Sequence, residues 1–332
     1  MNIAESMVYD KVRPPSQLVK IIQHTKRVFE NEVTSSSDAM NDTIPSDDLL
    51  SSLRTLSSIA SYLDTYLEIY PETTPPEDPM THEDDPFEDD MDVDDALPPL
   101  DANILTDLFA AIPMILQQQL SVPVIPHALE TINDISWAMT VRIPQWEQWQ
   151  AIATQFLEFA VPRIEGMAAL GEETMSTFLG CIWATAKSIP GTFALDEDDI
   201  LLLEKFYKKY PTEMQAKIVG VLGLAAQTEA IETNKHITAF LLKEMSSSAP
   251  LVVIEVMDAI MEIFADGERS YDTPVFVDGG ILSKIKQSLL QLRKCVKRID
   301  ARTESDLRER GDEVLENFTH FLKYKETEAK QK

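Results

Sequence analysis

The sequence predicts an all-α protein, an α-solenoid built from stacked helix pairs and interrupted by a disordered acidic loop. Apolar residues recur at helical spacing through most of the chain, and alternating strand-like runs are nearly absent. Glycine is scarce, with 10 among 332 residues, whereas 19 prolines mostly punctuate helical stretches. The second helices of successive pairs also recur at near-constant spacing, which is typical of a repeat array.

Two helices are predicted before residue 71, and residues 1–70 are assigned to the start of the helical repeats. Residues 17–30 place apolar side chains on one face, and Ser16 is the expected N-cap. Residues 47–70 repeat the pattern and stop at a proline, Pro71, which cannot continue a helix. The apolar face of this second helix consists of Leu49, Leu50, Leu53, Leu56, Ile59, Leu63 and Leu67.

Residues 71–101 have the composition of a disordered acidic loop. They contain thirteen acidic residues, seven prolines and no Lys or Arg. Such a segment buries too little apolar area to offset the entropy of ordering the chain. Its isolated apolar residues suit a segment that orders on a partner, and a solvated spacer between helices is the alternative. The candidate partner-binding carboxylates here are Glu83, Asp84, Asp85, Glu88, Asp89, Asp90, Asp92, Asp94 and Asp95.

Residues 102–332 are predicted to form HEAT-like repeats that end in C-terminal capping helices. The helix pairs are expected at 102–119 and 124–140, 145–169 and 172–188, 197–209 and 212–227, 230–246 and 249–265, and 279–298 and 303–326. The second-helix motifs begin at Pro126, Glu172, Pro211 and Pro250, which are 46, 39 and 39 residues apart. HEAT and armadillo units have a period of about 40–47 residues, close to this spacing.

The charge of the chain predicts a basic protein as its partner. The net charge is −27, and residues 38–101 carry nineteen acidic residues against one base, Arg54. Such a surface repels nucleic acid and anionic membranes and accelerates the capture of basic proteins. No secretory signal and no apolar run of about 18 residues is found. With only two cysteines, Cys181 and Cys295, we expect a soluble intracellular protein in a reducing compartment.

The sequence contains no recognisable catalytic constellation, so we expect a protein that is not an enzyme and needs no cofactor or metal. The five histidines are scattered and lack ligand partners at helical spacing. No phosphate-binding loop or nucleophile elbow occurs. Paired carboxylates such as Glu172 and Glu173 lie at helix starts, where they complement the helix dipole.

Two stripes of polar residues lie opposite the apolar faces of their predicted helices. They are therefore expected to face solvent or the concave groove of the array, where they would suit a Lys- or Arg-rich extended peptide. The alternative is a solvated helix face, with Trp137 of the first stripe packed into the next repeat. Trp146 and Trp149 are expected in the core. The stripes are Glu130, Asn133, Asp134 and Trp137 on helix 124–140, and Glu255, Asp258 and Glu262 on helix 249–265.

A basic run near the C-terminus has several interpretations. It lacks interleaved aromatic residues for base stacking. Contact with the protein's own acidic surface, or plain solvation, is therefore favoured over contact with nucleic acid. The nine bases are Lys284, Lys286, Arg293, Lys294, Lys297, Arg298, Arg302, Arg308 and Arg310, against four acids over residues 284–310.

The C-terminal third resembles the symportin family of HEAT/armadillo adaptors. The stretch DAIMEIFADGERSYDTPVFVDGGIL at 258–282 is similar to the family's penultimate repeat, and residues 294–326 resemble its C-terminus. There the family's N-x-x-x-F-[IL]-x-Y signature is matched by Asn317, Phe321, Leu322 and Tyr324. Before residue 258 the resemblance is architectural, and includes the acidic loop between helices.

The resemblance implies an adaptor and chaperone for nuclear import and ribosome assembly that shuttles between cytoplasm and nucleus. Its expected cargo is the pair of basic large-subunit ribosomal proteins that accompany 5S rRNA, ribosomal proteins five and eleven. Family members ride on a transportin-type karyopherin through an N-terminal proline–tyrosine signal. Neither that signal nor the N-terminal armadillo repeats are found here, so we expect a fragment, a short gene model or a diverged copy. The alternative function is a HEAT-repeat scaffold subunit of an unrelated complex.

Overall fold

The described part of the chain consists of helices and the short connections between them. The computed structural model describes residues 47–69, 102–117, 124–139, 146–227, 231–265 and 280–331, together with Gln23 and Arg27. Within these ranges there is no β-strand. None of the helices in them is long and apolar enough to cross a membrane. The all-α prediction is therefore confirmed for the described residues.

Twelve α-helices, numbered in chain order, lie in these ranges. They are α1 Asp47–Ile69, α2 Ala102–Gln117, α3 Ile125–Ala138, α4 Trp146–Ala160, α5 Ile164–Ala169, α6 Glu172–Ser188, α7 Glu197–Tyr207, α8 Thr212–Ala225, α9 Ile231–Glu244, α10 Pro250–Ala265, α11 Gly280–Val296 and α12 Ser305–Gln331. The chain divides into two compact units, Met1–Phe156 and Leu157–Lys332.

In the first unit, α3 packs against both α1 and α2. The predicted apolar stripe of α1 supplies this core: Leu53, Leu56, Ile59 and Leu63 are at most 1% exposed. An aromatic contact adds to the core, because the rings of Phe109 and Trp149 are 5.3 Å apart between centroids. Trp149 is fully buried, as the sequence predicted.

In the second unit, α8 packs against both α6 and α10, and α10 packs in turn against α12. The intervening helices α7, α9 and α11 each contact the second helix of their pair. Helices α3, α6, α8 and α10 begin 47, 40 and 38 residues apart. The helix pairs that the sequence predicted are thus present, and α6, α8, α10 and α12 form what we call the second-helix row.

Two glycines of α8 allow the second-helix row to pack closely. A Cβ at Gly220 would lie 2.9 Å from the indole Nε1 of Trp183 on α6. A Cβ at Gly223 would lie 2.5 Å from the Cβ of Ala259 on α10. Real Cβ atoms essentially never approach other heavy atoms within 3.0 Å, so a side chain at either position would force α8 and its neighbour to shift.

One predicted helix is divided. Residues 145–169 form α4 and α5, separated by a 3-10 turn at Val161–Arg163. Pro162 explains the break, because proline lacks the N–H that an α-helix needs and its ring clashes with the preceding turn. Of the predicted helix 17–30, only Gln23 and Arg27 are described, and both are helical. The acidic segment 71–101 lies outside the described ranges.

Candidate partner-binding surface

The α3 stripe of the first unit contains one exposed carboxylate and a polar cluster against α1. The Glu130 side chain is 63% exposed, with its Oε2 atom 3.6 Å from His127 Nδ1. Asp134 is half-buried and accepts a hydrogen bond from the Ser57 hydroxyl of α1. Asn133 Nδ2 lies 3.5 Å from the other Asp134 carboxylate oxygen. Trp137 is half-buried. Of this stripe, only Glu130 is largely open to solvent.

A shallow polar cavity of about 280 Å³ lies between α1 and α3 beside this stripe. The guanidinium of Arg54 and the imidazole of His127 lie at the same opening as the carboxylate of Glu130. The opening therefore offers groups of both signs, rather than a purely acidic surface. Its lining is completed by the hydroxyl residues Ser57, Ser58 and Thr131.

The α10 stripe of the second unit is paired with cations of the protein itself. Arg310 of α12 places Nη1 2.6 Å from Glu255 Oε1 and Nη2 3.3 Å from Asp258 Oδ2. Lys187 of α6 places Nζ 3.6 Å from Glu262 Oε1. Three carboxylates thus face two cations, which leaves one net negative charge. The α10 stripe is largely neutralised within the second-helix row.

The prediction that Glu255 faces solvent or an open groove is wrong. Glu255 is 6% exposed, because α12 packs over this side of α10 and places Arg310 against it. Asp258 and Glu262 keep about a third of their side-chain surface, 35% and 34%. Only these two residues of the stripe can offer oxygen atoms to a partner.

Burial controls the protonation of the two outer carboxylates of this stripe. Removal from water raises the pKa of Glu255, with Arg310 opposing the rise. Burial likewise raises the pKa of Glu262, with Lys187 opposing it. In both cases the cost of burial outweighs the paired cation, so the folded protein holds these protons at higher pH than an unfolded chain would.

Lys187 is held by an aromatic side chain as well as by Glu262. Its ammonium lies 5.7 Å from the centroid of the Trp183 ring, within the range of a cation–π interaction. The same indole contacts Gly220 of α8. Trp183, Lys187 and Glu262 therefore connect α6 to α10 across the glycine-bearing face of α8.

The basic run at 284–310 is used in two ways. Arg310 contacts the acidic surface of α10, and Arg308 pairs with Asp312 at 2.8 Å, so the interpretation as internal contact is confirmed for these two residues. Others in the run remain exposed. Sequence reasoning missed Lys187 and Trp183 as members of this network. A single lysine at a helix end gives no local signal, whereas the basic run itself pointed to Arg310.

Within the described ranges no group of three or more His, Cys, Asp or Glu residues could hold a metal ion. Both cysteines, Cys181 and Cys295, are buried free thiols. His236 lies 2.9 Å from Glu204, an ordinary contact between helices. The candidate carboxylates from Glu83 to Asp95 lie outside the described residues.

Comparison with known proteins gives one family match and three curated relatives. The family described as SYO1-like, TPR repeats, matches residues 115–329. One relative is the armadillo repeat protein involved in nucleocytoplasmic transport Syo2 of Schizosaccharomyces pombe. It is 30% identical over 215 residues, which cover 61% of this chain and 32% of that protein. Symportin 1 of Chaetomium thermophilum is 28% identical over 236 residues, 61% of this chain and 34% of the relative.

The third relative is the synchronized import protein 1 of Saccharomyces cerevisiae, 28% identical over 169 residues, 45% of this chain and 27% of that protein. The chain therefore spans about a third of the length of the curated relatives it matches. Two solved structures are also similar. An engineered protein has a TM-score of 0.48 at 15% identity, covering 92% of this chain and 98% of the other. A designed armadillo repeat protein has a TM-score of 0.42 at 16% identity, covering 91% and 99%.

Proposed function

Because the chain belongs to the family of SYO1-like TPR-repeat proteins, we propose that it is an adaptor and chaperone for basic large-subunit ribosomal proteins during nuclear import and ribosome assembly. The proposed cargo is ribosomal proteins five and eleven, which accompany 5S rRNA, and the proposed location is cytoplasm and nucleus. The single observation that carries the proposal is the family match across residues 115–329.

The charge of the chain supports the proposal independently. Ribosomal proteins are rich in Lys and Arg, and a net charge of −27 both attracts them and shields them before assembly. In this proposal the carboxylates of residues 83–95 cover basic cargo surface and Glu130 adds a contact on α3. Asp258 and Glu262, each about a third exposed, offer their carboxylate oxygens, whereas Glu255 holds Arg310. A karyopherin would be engaged through parts of the longer relatives that this chain does not span.

The proposal is tested by pull-down of ribosomal proteins five and eleven at low salt and at about 0.5 M salt, where exposed charges are largely screened. Two charge-matched variants of the full chain separate the acidic segment from general acidity. The segment-neutral variant replaces by Asn or Gln the nine residues Glu83, Asp84, Asp85, Glu88, Asp89, Asp90, Asp92, Asp94 and Asp95. The helix-neutral variant likewise replaces by Asn or Gln nine exposed acidic residues of the helices. These are Glu158, Glu165, Glu172, Glu173, Glu197, Asp198, Glu213, Glu309 and Glu313.

We expect the amount of bound cargo to fall at least tenfold more in the segment-neutral variant than in the helix-neutral variant. The reason is that clustered charges act together on one basic surface. Retention of ribosomal proteins five and eleven over other basic ribosomal proteins would support the adaptor function. Equal binding of every basic protein, equally reduced in both variants, would contradict it.

A further inference from the structure

An exposed basic surface remains on α11 and the turn that follows it. Residues 286–302 contain six bases and one acid in a chain whose net charge is −27. Arg293, Lys294, Lys297, Arg298 and Arg302 are all exposed. Within the part of the chain that the structure describes, none of these five side chains forms an ion pair or a hydrogen bond, unlike Lys187, Arg308 and Arg310. The described helices therefore leave the charge of these five side chains unpaired.

An exposed leucine lies at the centre of these bases. Leu290 is 59% exposed, more than any other large apolar side chain of the described residues. Lys286, Arg293, Lys294 and Lys297 are its neighbours at i−4, i+3, i+4 and i+7, which lie on the same helix face. Helical geometry extends to Lys297, whose N–H donates to Arg293 O at 3.2 Å.

The opposite face of α11 is the one that packs into the second unit. Ser288, Leu292, Cys295 and Val296 are at most 9% exposed. The apolar residues that the fold needs are thus already buried, and Leu290 is not among them. We call Leu290 with the bases at 286, 293, 294, 297, 298 and 302 the Leu290 surface.

Another exposed leucine has surroundings of the opposite charge. Leu201 of α7 is 48% exposed. Its neighbours at i−4, i−3, i+3 and i+4 are Glu197, Asp198, Glu204 and Lys205, so its surroundings are mainly acidic. Leu201 therefore provides a matched control, an exposed leucine whose neighbouring charges are mainly negative.

The size of the Leu290 surface limits what it can bind. Lys286 and Lys297 are separated by about 16 Å along the helix axis, which an extended peptide of about five residues can span. A long polyanion would extend beyond this patch onto the acidic remainder of the protein and be repelled there. The patch also contains no aromatic residue on which a base could stack.

We propose that the Leu290 surface is a docking site for a short acidic segment of a partner protein that carries an apolar side chain. Carboxylates of that segment pair with the guanidinium groups of Arg293, Arg298 and Arg302, which favour bidentate contacts. The apolar side chain of the segment covers Leu290, and the surrounding bases form a polar rim. This partner is distinct from the basic cargo, which the positive charge of the same surface would repel.

The test measures binding of the full chain to a labelled acidic peptide of about ten residues with two central leucines, by fluorescence anisotropy. A second peptide replaces the two leucines by serine. The protein variants are R293Q/K297Q/R298Q and L290S, and the controls are K205Q/K208Q and L201S. Because all altered residues are exposed, their thermal unfolding is expected to match that of the unaltered chain, which circular dichroism checks.

We expect R293Q/K297Q/R298Q to weaken binding of the leucine peptide about tenfold or more, and the two control variants to weaken it less than twofold. L290S should weaken binding of the leucine peptide about threefold or more and leave the serine peptide unchanged, since both changes remove the same contact.

The proposal is overturned if neither peptide binds, or if L290S is without effect on the leucine peptide. It is also overturned if K205Q/K208Q reduces binding as much as the α11 variant does. A short RNA oligonucleotide and vesicles of anionic lipid are measured in parallel. Tighter binding of either one, lost in R293Q/K297Q/R298Q and independent of Leu290, would replace the proposed peptide site by a phosphate site.

Discussion

At the scale of single residues, the packing of α8 depends on two missing side chains. Gly223 faces Ala259 so closely that even one methyl group would meet another carbon at 2.5 Å. The contacted atom is the Cβ of an alanine, which cannot rotate away. Helix propensity by itself would favour alanine at this position by about 1 kcal/mol. The glycine is therefore explained by the distance between α8 and α10 rather than by local helix preference.

The substitution Gly223→Ala is expected to lower the thermal unfolding midpoint by several degrees, because the clash of about 1–3 kcal/mol outweighs the gain in helix propensity. Differential scanning calorimetry measures the shift. Gly166→Ala is the matched control, since a Cβ there meets nothing within 4 Å. The double change G223A/A259G should recover most of the loss, because it restores the missing space. A single G223A variant as stable as the unaltered chain would show that α8 and α10 do not pack at this distance.

At the scale of helices, α10 carries its carboxylates into contact with α6 and α12. The Lys187–Glu262 and Arg310–Glu255 pairs are 75 and 55 residues apart in sequence, so each forms only when the second-helix row has assembled. An unpaired charge at the buried Glu255 would cost several kcal/mol. The pairs thus favour one arrangement of the row over others in which these charges would lack a partner.

The buried carboxylates of these pairs are expected to make the free energy of unfolding depend on pH. Burial raises the pKa values of Glu255 and Glu262 in the folded protein above the ordinary glutamate value. As the pH falls from 7 toward 5, the folded state takes up these protons before the unfolded state does, so this part of the free energy of unfolding increases. One unit of pKa difference corresponds to about 1.4 kcal/mol. Glu262, about a third exposed, contributes less because water screens it.

Urea unfolding between pH 7 and pH 5 tests this expectation in the unaltered chain and in E255Q/E262Q. The variant should show a weaker rise in stability on acidification, because glutamine does not titrate. E309Q/E316Q removes the same number of carboxylates from exposed positions of α12 and controls for net charge. If both variants respond to acid alike, burial of Glu255 and Glu262 is not the source of the pH dependence.

At the scale of the whole molecule, the charge is divided between a large negative excess and a small positive surface on α11. A net charge of −27 destabilises a compact state through self-repulsion. The Leu290 surface keeps five exposed bases that the described helices do not pair. In the two proposals made above, the negative excess binds basic cargo and the Leu290 surface binds an acidic segment of another protein.

Raising the salt concentration from about 20 mM to about 0.2 M is expected to raise the thermal unfolding midpoint, because screening weakens repulsion between exposed carboxylates more than it weakens the buried pairs. Calorimetry over this range measures the effect. The helix-neutral variant should respond less than the unaltered chain, since nine of the repelling charges are gone. A midpoint that falls with salt in both proteins would show that ion pairs, rather than net repulsion, dominate the electrostatics of the fold.

The helices could be predicted from the sequence because their determinants are local. The apolar stripe of α1, the start and end of α6 at Glu172 and Ser188, and the burial of Trp149 all follow from residues close in sequence. Proline, too, acts locally, and Pro162 could have marked the break between α4 and α5. The sequence by itself therefore determined the helical class, the pairing of helices and the acidic character of the chain.

Only the tertiary structure decided which polar stripes remain available. The sequence placed Glu255 opposite an apolar face, but the packing of α12 buried it against Arg310. The sequence also could not show that Lys187 reaches Glu262 across α8, or that Gly220 and Gly223 permit that approach. The physical reason is that periodicity assigns a residue to a face of its own helix, whereas the helix that covers this face, and the charge it brings, depends on residues far away in the chain.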